Sequence, residues 1–341
     1  MYVAAVTEVI DVKLRYPNTA LLGLQYDAET FSNIAKMAAR CKGVLIRVPT
    51  NYDPETRQYV GIWDGTFKYA YTNNPAWHFY DACIDKRRGL GNHLDQSMVD
   101  KWSIYRLGQY CDELVPDGKG GQEPRFTLNV YQQAQEDAYS VLTKMVGVMR
   151  AYMFWDGQSI VLDADMPSDT VYTFTRANVI DGHFEYSGTR KRDRHTIAVV
   201  NFDNPDNRFK TEPEPIPDEE AIAKYGINKV EIDAWGVTSR GQAQRAGLWA
   251  LKTEKYETQT VVFKVGLDGY IPQPGKVIEI ADQSFAGRAN GGRISSISAD
   301  LKQVTLDRDD VVCRAGDRLV INGEDGKAKA RVIAVSYTHL T

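Results

Sequence analysis

Ser239-Arg-Gly-Gln-Ala-Gln-Arg-Ala-Gly-Leu-Trp249, followed shortly by the run from Thr258 to Val265, sets the fold class. Ser239 and Gln242 form a capping box that opens a helix predicted over 240–252. Ala243, Ala246, Trp249 and Ala250 fall at helical spacing and give it one apolar face. Thr258 to Val265 reads as a strand. The same alternation of helix and strand patterns elsewhere predicts an α+β, multidomain chain.

Towards the N-terminus, Asp218 caps a short helix that Gly226 ends. Thr211-Glu-Pro-Glu-Pro-Ile-Pro217 reads as an extended acidic linker within 203–217. Strands are predicted near 158–163, 170–175, 181–187 and 195–202. The last two flank Thr189-Arg-Lys-Arg-Asp-Arg194 as a hairpin. Asn129 and Gln132 point to a helix over 130–152. Its Ala134/Leu142/Met149 stripe should face strands 158–163 and 170–175, with Gln133, Glu136 and Lys144 turned away. Further back, Asn74-Pro75 is a helix start, and Lys86-Arg-Arg88 would fill that helix's last turn before Gly89. Residues 97–111 also read as helical. A helix from Ala28 to about Arg40 and a strand through Ile10, Val12 and Leu14 complete this half. From Leu267 onward, short strands between Gly and Asp turns predict a small β-barrel.

The expected organisation is therefore a β-rich segment over 1–72 that begins inside a domain, and a mainly helical section over 73–128. An α+β section over 129–266 and the small barrel over 267–335 follow. The closing Ser336-Tyr-Thr-His-Leu-Thr341 resembles translated adapter sequence and is expected to be non-native.

Composition narrows the function. Across 341 residues the net charge is −4, which gives no general basic field for nucleic acid. No apolar run reaches the ~18 residues of a membrane-spanning helix, and no secretory signal is visible at the N-terminus. Cys41, Cys83, Cys111 and Cys313 are too scattered for a disulfide scaffold and read as free thiols.

Tests for chemistry return little. Gly89-Leu-Gly91 lacks the third glycine of a dinucleotide loop and follows a helix. Gly241 and Gly247 lie in a helical pattern. His78, Cys83, His93 and Cys111 share one helical region, but their spacings of five, ten and eighteen match no common zinc pattern. Asp163 and Asp165 would face one side of a strand end, as an acid–base pair or a Mg²⁺ site would require. No histidine or nucleophile accompanies them, and turn chemistry explains them equally. Arg190, Lys191, Arg192 and Arg194 could contact phosphate, but a charged loop against a neighbouring subunit is the commoner arrangement. Tyrosine is abundant, 19 against 11 Phe and 6 Trp, which suits β-rich packing or a glycan- or protein-contact surface. The motifs alone point to a non-enzymatic scaffold or interaction protein without cofactor or metal.

Longer strings say more. Thr7-Glu-Val-Ile-Asp-Val-Lys-Leu-Arg-Tyr-Pro-Asn-Thr-Ala-Leu-Leu-Gly-Leu-Gln25, Val48-Pro-Thr-Asn-Tyr-Asp-Pro-Glu-Thr-Arg-Gln-Tyr59 and Trp63-Asp-Gly-Thr-Phe67 resemble the tip attachment, or host specificity, proteins J of lambda-like tailed phages. So do Asn73-Asn-Pro-Ala-Trp77, Gly108-Gln-Tyr-Cys-Asp112, Val115-Pro-Asp-Gly118, Thr238 to Trp249, Glu257 to Val261, Pro274 to Ile280 and Gly291-Gly-Arg-Ile294. The resemblance runs in order over about 7–335 and is weaker in 28–43, 184–195 and 203–217. It implies a trimeric central hub of barrel-like and α+β domains that closes the tail tube and lets DNA pass without specific binding. It also implies other tail-tip and tail-tube proteins as partners, a place in the virion after synthesis in the bacterial cytoplasm, and receptor attachment through regions beyond this chain. The family offers no catalytic residue. A wall-degrading hub enzyme and a glycan-binding adhesin are the alternatives.

Overall fold

The computed structural model describes residues 19–23, 29, 39–132, 134–188, 194–282, 293–300, 302–307, 313–323 and 326–334. The expected strand at 10–14, most of the expected helix at 28–40, the loop residues Arg190, Lys191 and Arg192, and the closing 336–341 lie outside these. The chain divides into Met1–Gly43 and Val44–Thr341, and every element below belongs to the second unit. Mixed α and β elements bear out the α+β class.

The first core begins with β1 (Ile46–Pro49). The small hairpin β2 (Tyr52–Asp53) and β3 (Gln58–Tyr59) follows, and then β4 (Phe67–Ala70), which pairs antiparallel with β1. Helix α1 (Pro75–Ile84) starts where expected: Asn74 accepts the Ala76 N–H, and Pro75 gives up a donor that has no partner in a first turn. It stops at Ile84, so Lys86, Arg87 and Arg88 lie beyond it. Asp85 takes over there, accepting the backbone N–H groups of Arg87 and Arg88. Helix α2 (Lys101–Asp112) is capped by Asp100. The ribbon β5 (Leu114–Pro116)/β6 (Gln122–Pro124) follows.

Helix α3 (Ala138–Val148) is shorter than the pattern suggested, because Asp137 rather than Asn129 caps it. The Asn129 side chain bonds Thr238 instead. At the other end Arg150, at φ 51°, turns the chain into β7 (Ala151–Trp155), which pairs with β8 (Ile160–Ala164). Leu142, Val146 and Met149 are buried with α1, α2 and Leu162 of β8, while Ala134 is exposed. The apolar face was thus placed correctly at Leu142 and Met149 and against β8. It does not reach β9 (Tyr172–Thr175), whose side chains form a separate core.

Strand β10 (Val179–Gly188) does not form a hairpin with β11 (Ile197–Asn204). Strand β11 pairs antiparallel with β12 (Lys210–Pro217), the stretch expected as a linker. Pro213, Pro215 and Pro217 cannot donate, but they alternate with Glu212, Glu214 and Ile216. In an antiparallel ladder alternate residues point their backbone groups at the same neighbour, so the intervening residues bond β11 and the prolines face out. Helix α4 (Glu219–Tyr225), capped by Asp218 and ended by Gly226, leads to β13 (Lys229–Asp233), parallel to β11. Helix α5 (Arg240–Tyr256), capped by Ser239 as expected, packs on this sheet around Ala198, Val200, Ile216 and Leu251.

Strand β14 (Gln259–Val265) is the true partner of β10. Phe263 and Val265 join Tyr172, Phe174 and Phe184 in the third core. Strand β15 (Ile278–Ala281) runs parallel to β9. The hairpins β16 (Ile294–Ile297)/β17 (Val304–Leu306) and β18 (Arg318–Asn322)/β19 (Ala328–Val332) end the described chain. No closed barrel is found among the described residues, in 1–72 or in 267–335. The C-terminal strands are three to five residues long and carry no buried apolar side chain, too little to close around.

Candidate functional site

The region around the basic run is a meeting of charges. Arg194, the member of that run in the described structure, lies just before β11, and Asn228 donates to its carbonyl oxygen. Next to it the His195 Nδ1 lies 2.8 Å from Glu254 of α5. Lys255 donates to Asp218 at 3.0 Å and to Glu220 at 3.3 Å, and this hydrogen bonding holds the Asp218 carboxyl below its ordinary range. Arg194, His195, Asp218, Glu220, Lys224 and Lys255 line a small cavity of about 120 Å³. Two acids of β12, further along the sheet, are also engaged. Glu214 accepts from Arg240 at 2.8 Å, and Glu212 accepts from the amides of Asn204 and Asn207.

Asp163 and Asp165 lie at the end of β8 but do not act as a pair. Asp163 is buried, accepts from Arg106 of α2 at 2.9 Å, and forms an ion pair with Lys276. Asp165 accepts the Trp249 indole N–H of α5 at 2.9 Å.

The four candidate zinc ligands are scattered. His78 donates to the Thr72 carbonyl oxygen at 2.8 Å, and burial lowers its pKa. Cys83 and Cys111 are fully buried in the first core, where burial pushes the Cys83 thiol up to about 12 and Cys111 well above its ordinary value. His93 is exposed. Among the described residues no three His, Cys, Asp or Glu side chains are placed to share a metal.

A larger polar cluster escaped the sequence reading. Asp112, at the end of α2, accepts from Arg57 Nε at 2.7 Å, from the Tyr59 hydroxyl at 2.9 Å and from Asn74 Nδ2 at 2.7 Å. Asn74 also donates to the Gly108 carbonyl, and Trp77 donates to the Tyr59 hydroxyl. Burial raises the Asp112 pKa against the opposing pull of Arg57, and burial pushes the Tyr59 hydroxyl far up as well. Around it Tyr52, Tyr59, Trp63, Phe67, Trp77 and Tyr105 pack ring to ring, with Trp63 stacked on Tyr105 at 4.8 Å. These hydrogen bonds run between segments, so the cluster ties β2–β3, α1 and α2 together, with Asp112 and the Tyr59 hydroxyl both engaged inside it and Arg57 Nη2 buried without a hydrogen-bond partner among the described residues. Its signal lay in the strings Thr-Arg-Gln-Tyr59, Asn73-Asn-Pro-Ala-Trp77 and Gly108 to Asp112, which hold all of its members.

A family model for putative phage tail proteins matches residues 137–297, from the cap of α3 to the end of β16. The chain is 38% identical over 335 residues to tip attachment protein J of Escherichia phage SECphi4, covering 97% of this chain and 29% of that protein. It is 41% identical over 331 residues to tip attachment protein J of Escherichia phage SECphi27, covering 96% of this chain and 27% of that protein. The chain thus spans under a third of the length of these relatives. The resemblance read from its motifs holds along nearly its whole length, and the chain is a phage tail component similar to one stretch of tip attachment protein J.

Proposed function

We propose that this chain is a structural part of the phage tail tip, three copies of which form a central hub that closes the tail tube. DNA leaves through the hub's channel without specific binding, and receptor attachment belongs to other parts of the full-length protein. Its further partners are tail-tip and tail-tube proteins. The observation that carries this reading is the similarity, over 97% of the chain, to a protein named for tip attachment.

The reading is non-enzymatic. Supporting it, the carboxylates that most resembled a catalytic pair are committed to Arg106, Lys276 and Trp249. Arg190, Lys191, Arg192 and Arg194 serve as a contact to a neighbouring subunit. Glu212, Glu214, Glu219 or Glu220 would supply the counter-charge; Glu214 and Glu220 are already ion-paired with Arg240 and Lys255 and Glu212 accepts from Asn204 and Asn207, while Glu219 is exposed.

Light scattering on the intact full-length protein tests the assembly: a trimer is expected, and a strict monomer overturns it. Replacing the four basic residues by Ser should weaken assembly without speeding DNA release. Faster release from normally assembled particles would place the run in the channel instead.

A further inference from the structure

The end of β8 is where three separately packed cores meet. Asp163 is buried on β8 between Leu162 and Ala164, which belong to the first core with α1, α2 and α3. Its two carboxylate oxygens are divided between two cations. Oδ1 takes Arg106 from α2, within the same core. Oδ2 takes Lys276, whose segment runs directly into β15 of the third core. The neighbouring turn docks at the same place. Gly275, at φ +78°, lies so close to the Tyr152 ring of β7 that a Cβ there would overlap it. Tyr152 is the register partner of Asp163 in the β7–β8 pair. Beyond Lys276 the chain is tied into the third core by its backbone, with the Val171 N–H donating to the Val277 carbonyl.

We propose that Asp163, with Arg106 and Lys276, is a latch that couples the first core to the third, and that releasing it frees β9, β14 and β15 while each core keeps its own apolar packing. The physical basis is the distribution of partners. A buried carboxylate is tolerable only while its charges are met. Arg106 orients it from one side, and Lys276 completes it only when the third core is docked. Neither apolar cluster includes any of the three side chains. Removing the latch therefore takes nothing from the packing that holds each core, so the cores should open as separate units. In a tail-tip component such a coupling would set how readily the two parts move with respect to each other.

Hydrogen exchange followed by mass spectrometry on the whole chain tests this. Asp163→Asn and Lys276→Gln should each speed exchange of the β9, β14 and β15 amides at least tenfold, with α1 and α2 amides unchanged. The double variant should be no faster than either single one, because both remove the same coupling. Exchange unchanged in β9, β14 and β15 would overturn the proposal, as would equal acceleration in α1 and α2, which would make Asp163 an ordinary buried group of the first core. Lys276 is partly solvent-exposed, so Lys276→Gln decides the question alone if the Asp163 variant does not fold.

Discussion

The indole N–H of Trp77 donates to the hydroxyl of Tyr59 at 2.9 Å, and that hydroxyl donates in turn to Asp112. A single phenol oxygen thus joins a fully buried tryptophan to a buried carboxylate. Tyr59→Phe keeps the ring packing but leaves both groups short of a partner. An orphaned buried polar group costs ~1–3 kcal/mol, so urea unfolding should show a loss of that size. Arg57→Ala leaves Asp112 without its cation and should cost more, about 3–5 kcal/mol.

The pH dependence follows from the same carboxylate. Burial raises the folded-state pKa of Asp112 above its unfolded value. The folded chain therefore holds that proton more tightly. The stability this contributes is fully present below the unfolded pKa and is lost as pH rises through the folded one. Unfolding free energies of wild type and Asp112→Asn, measured from pH 3 upward, should differ by an amount that moves against wild type as pH rises. A constant difference would contradict the assigned direction.

Leu142 and Ala134 separate the face of α3 from the irregular segment before it. Leu142 is buried in the first core and Ala134 is exposed. Leu142→Asp places an unpaired charge among apolar groups and should cost several kcal/mol, on the order of the loss that unfolds a marginal domain. Ala134→Asp should stay within ~0.5 kcal/mol of wild type. Thermal melts of the two variants check both expectations.

Gly247 presents a case where helix propensity and packing disagree. Alanine would favour the middle of α5 by roughly 1 kcal/mol. Yet a Cβ there would lie 2.6 Å from Ile216 Cδ1 and 3.0 Å from Val200 Cγ2. Overpacking of this kind typically costs ~1–3 kcal/mol, so Gly247→Ala should lower the melting temperature. Gly226→Ala makes a control, since open space surrounds it and only its φ of +81° opposes a side chain.

Much of this fold was legible where the deciding interactions are local. Asn74-Pro75, Asp218 with Gly226, and Ser239 each mark a helix end through groups within four residues, and all three hold, although the Gln242 side chain bonds Thr127 instead of closing the capping box. The readings that failed depended on distant partners. Strand β10 finds β14 across the whole β11–α5 segment, which no local pattern records. Asn129 has the chemistry of a cap, but Thr238 claims its side chain and Asp137 caps instead. The Asp112 cluster draws on residues 57, 59, 74, 77 and 112, with no common period, so spacing rules pass over it. Asp163 and Asp165 read in sequence either as a carboxylate pair or as turn residues, and neither reading could reveal that Arg106, Lys276 and Trp249 would reach them.

The alternating prolines of β12 have a consequence for crowding. Sheet edges normally invite a stray chain to dock by exchanging amide hydrogens for carbonyl oxygens. Between Pro213 and Pro217 the outer rim of this sheet has oxygens to offer and no hydrogens, so an arriving strand finds only half of the bonds it needs. Many copies gathered in a small volume can press against that rim without being recruited into a growing ribbon.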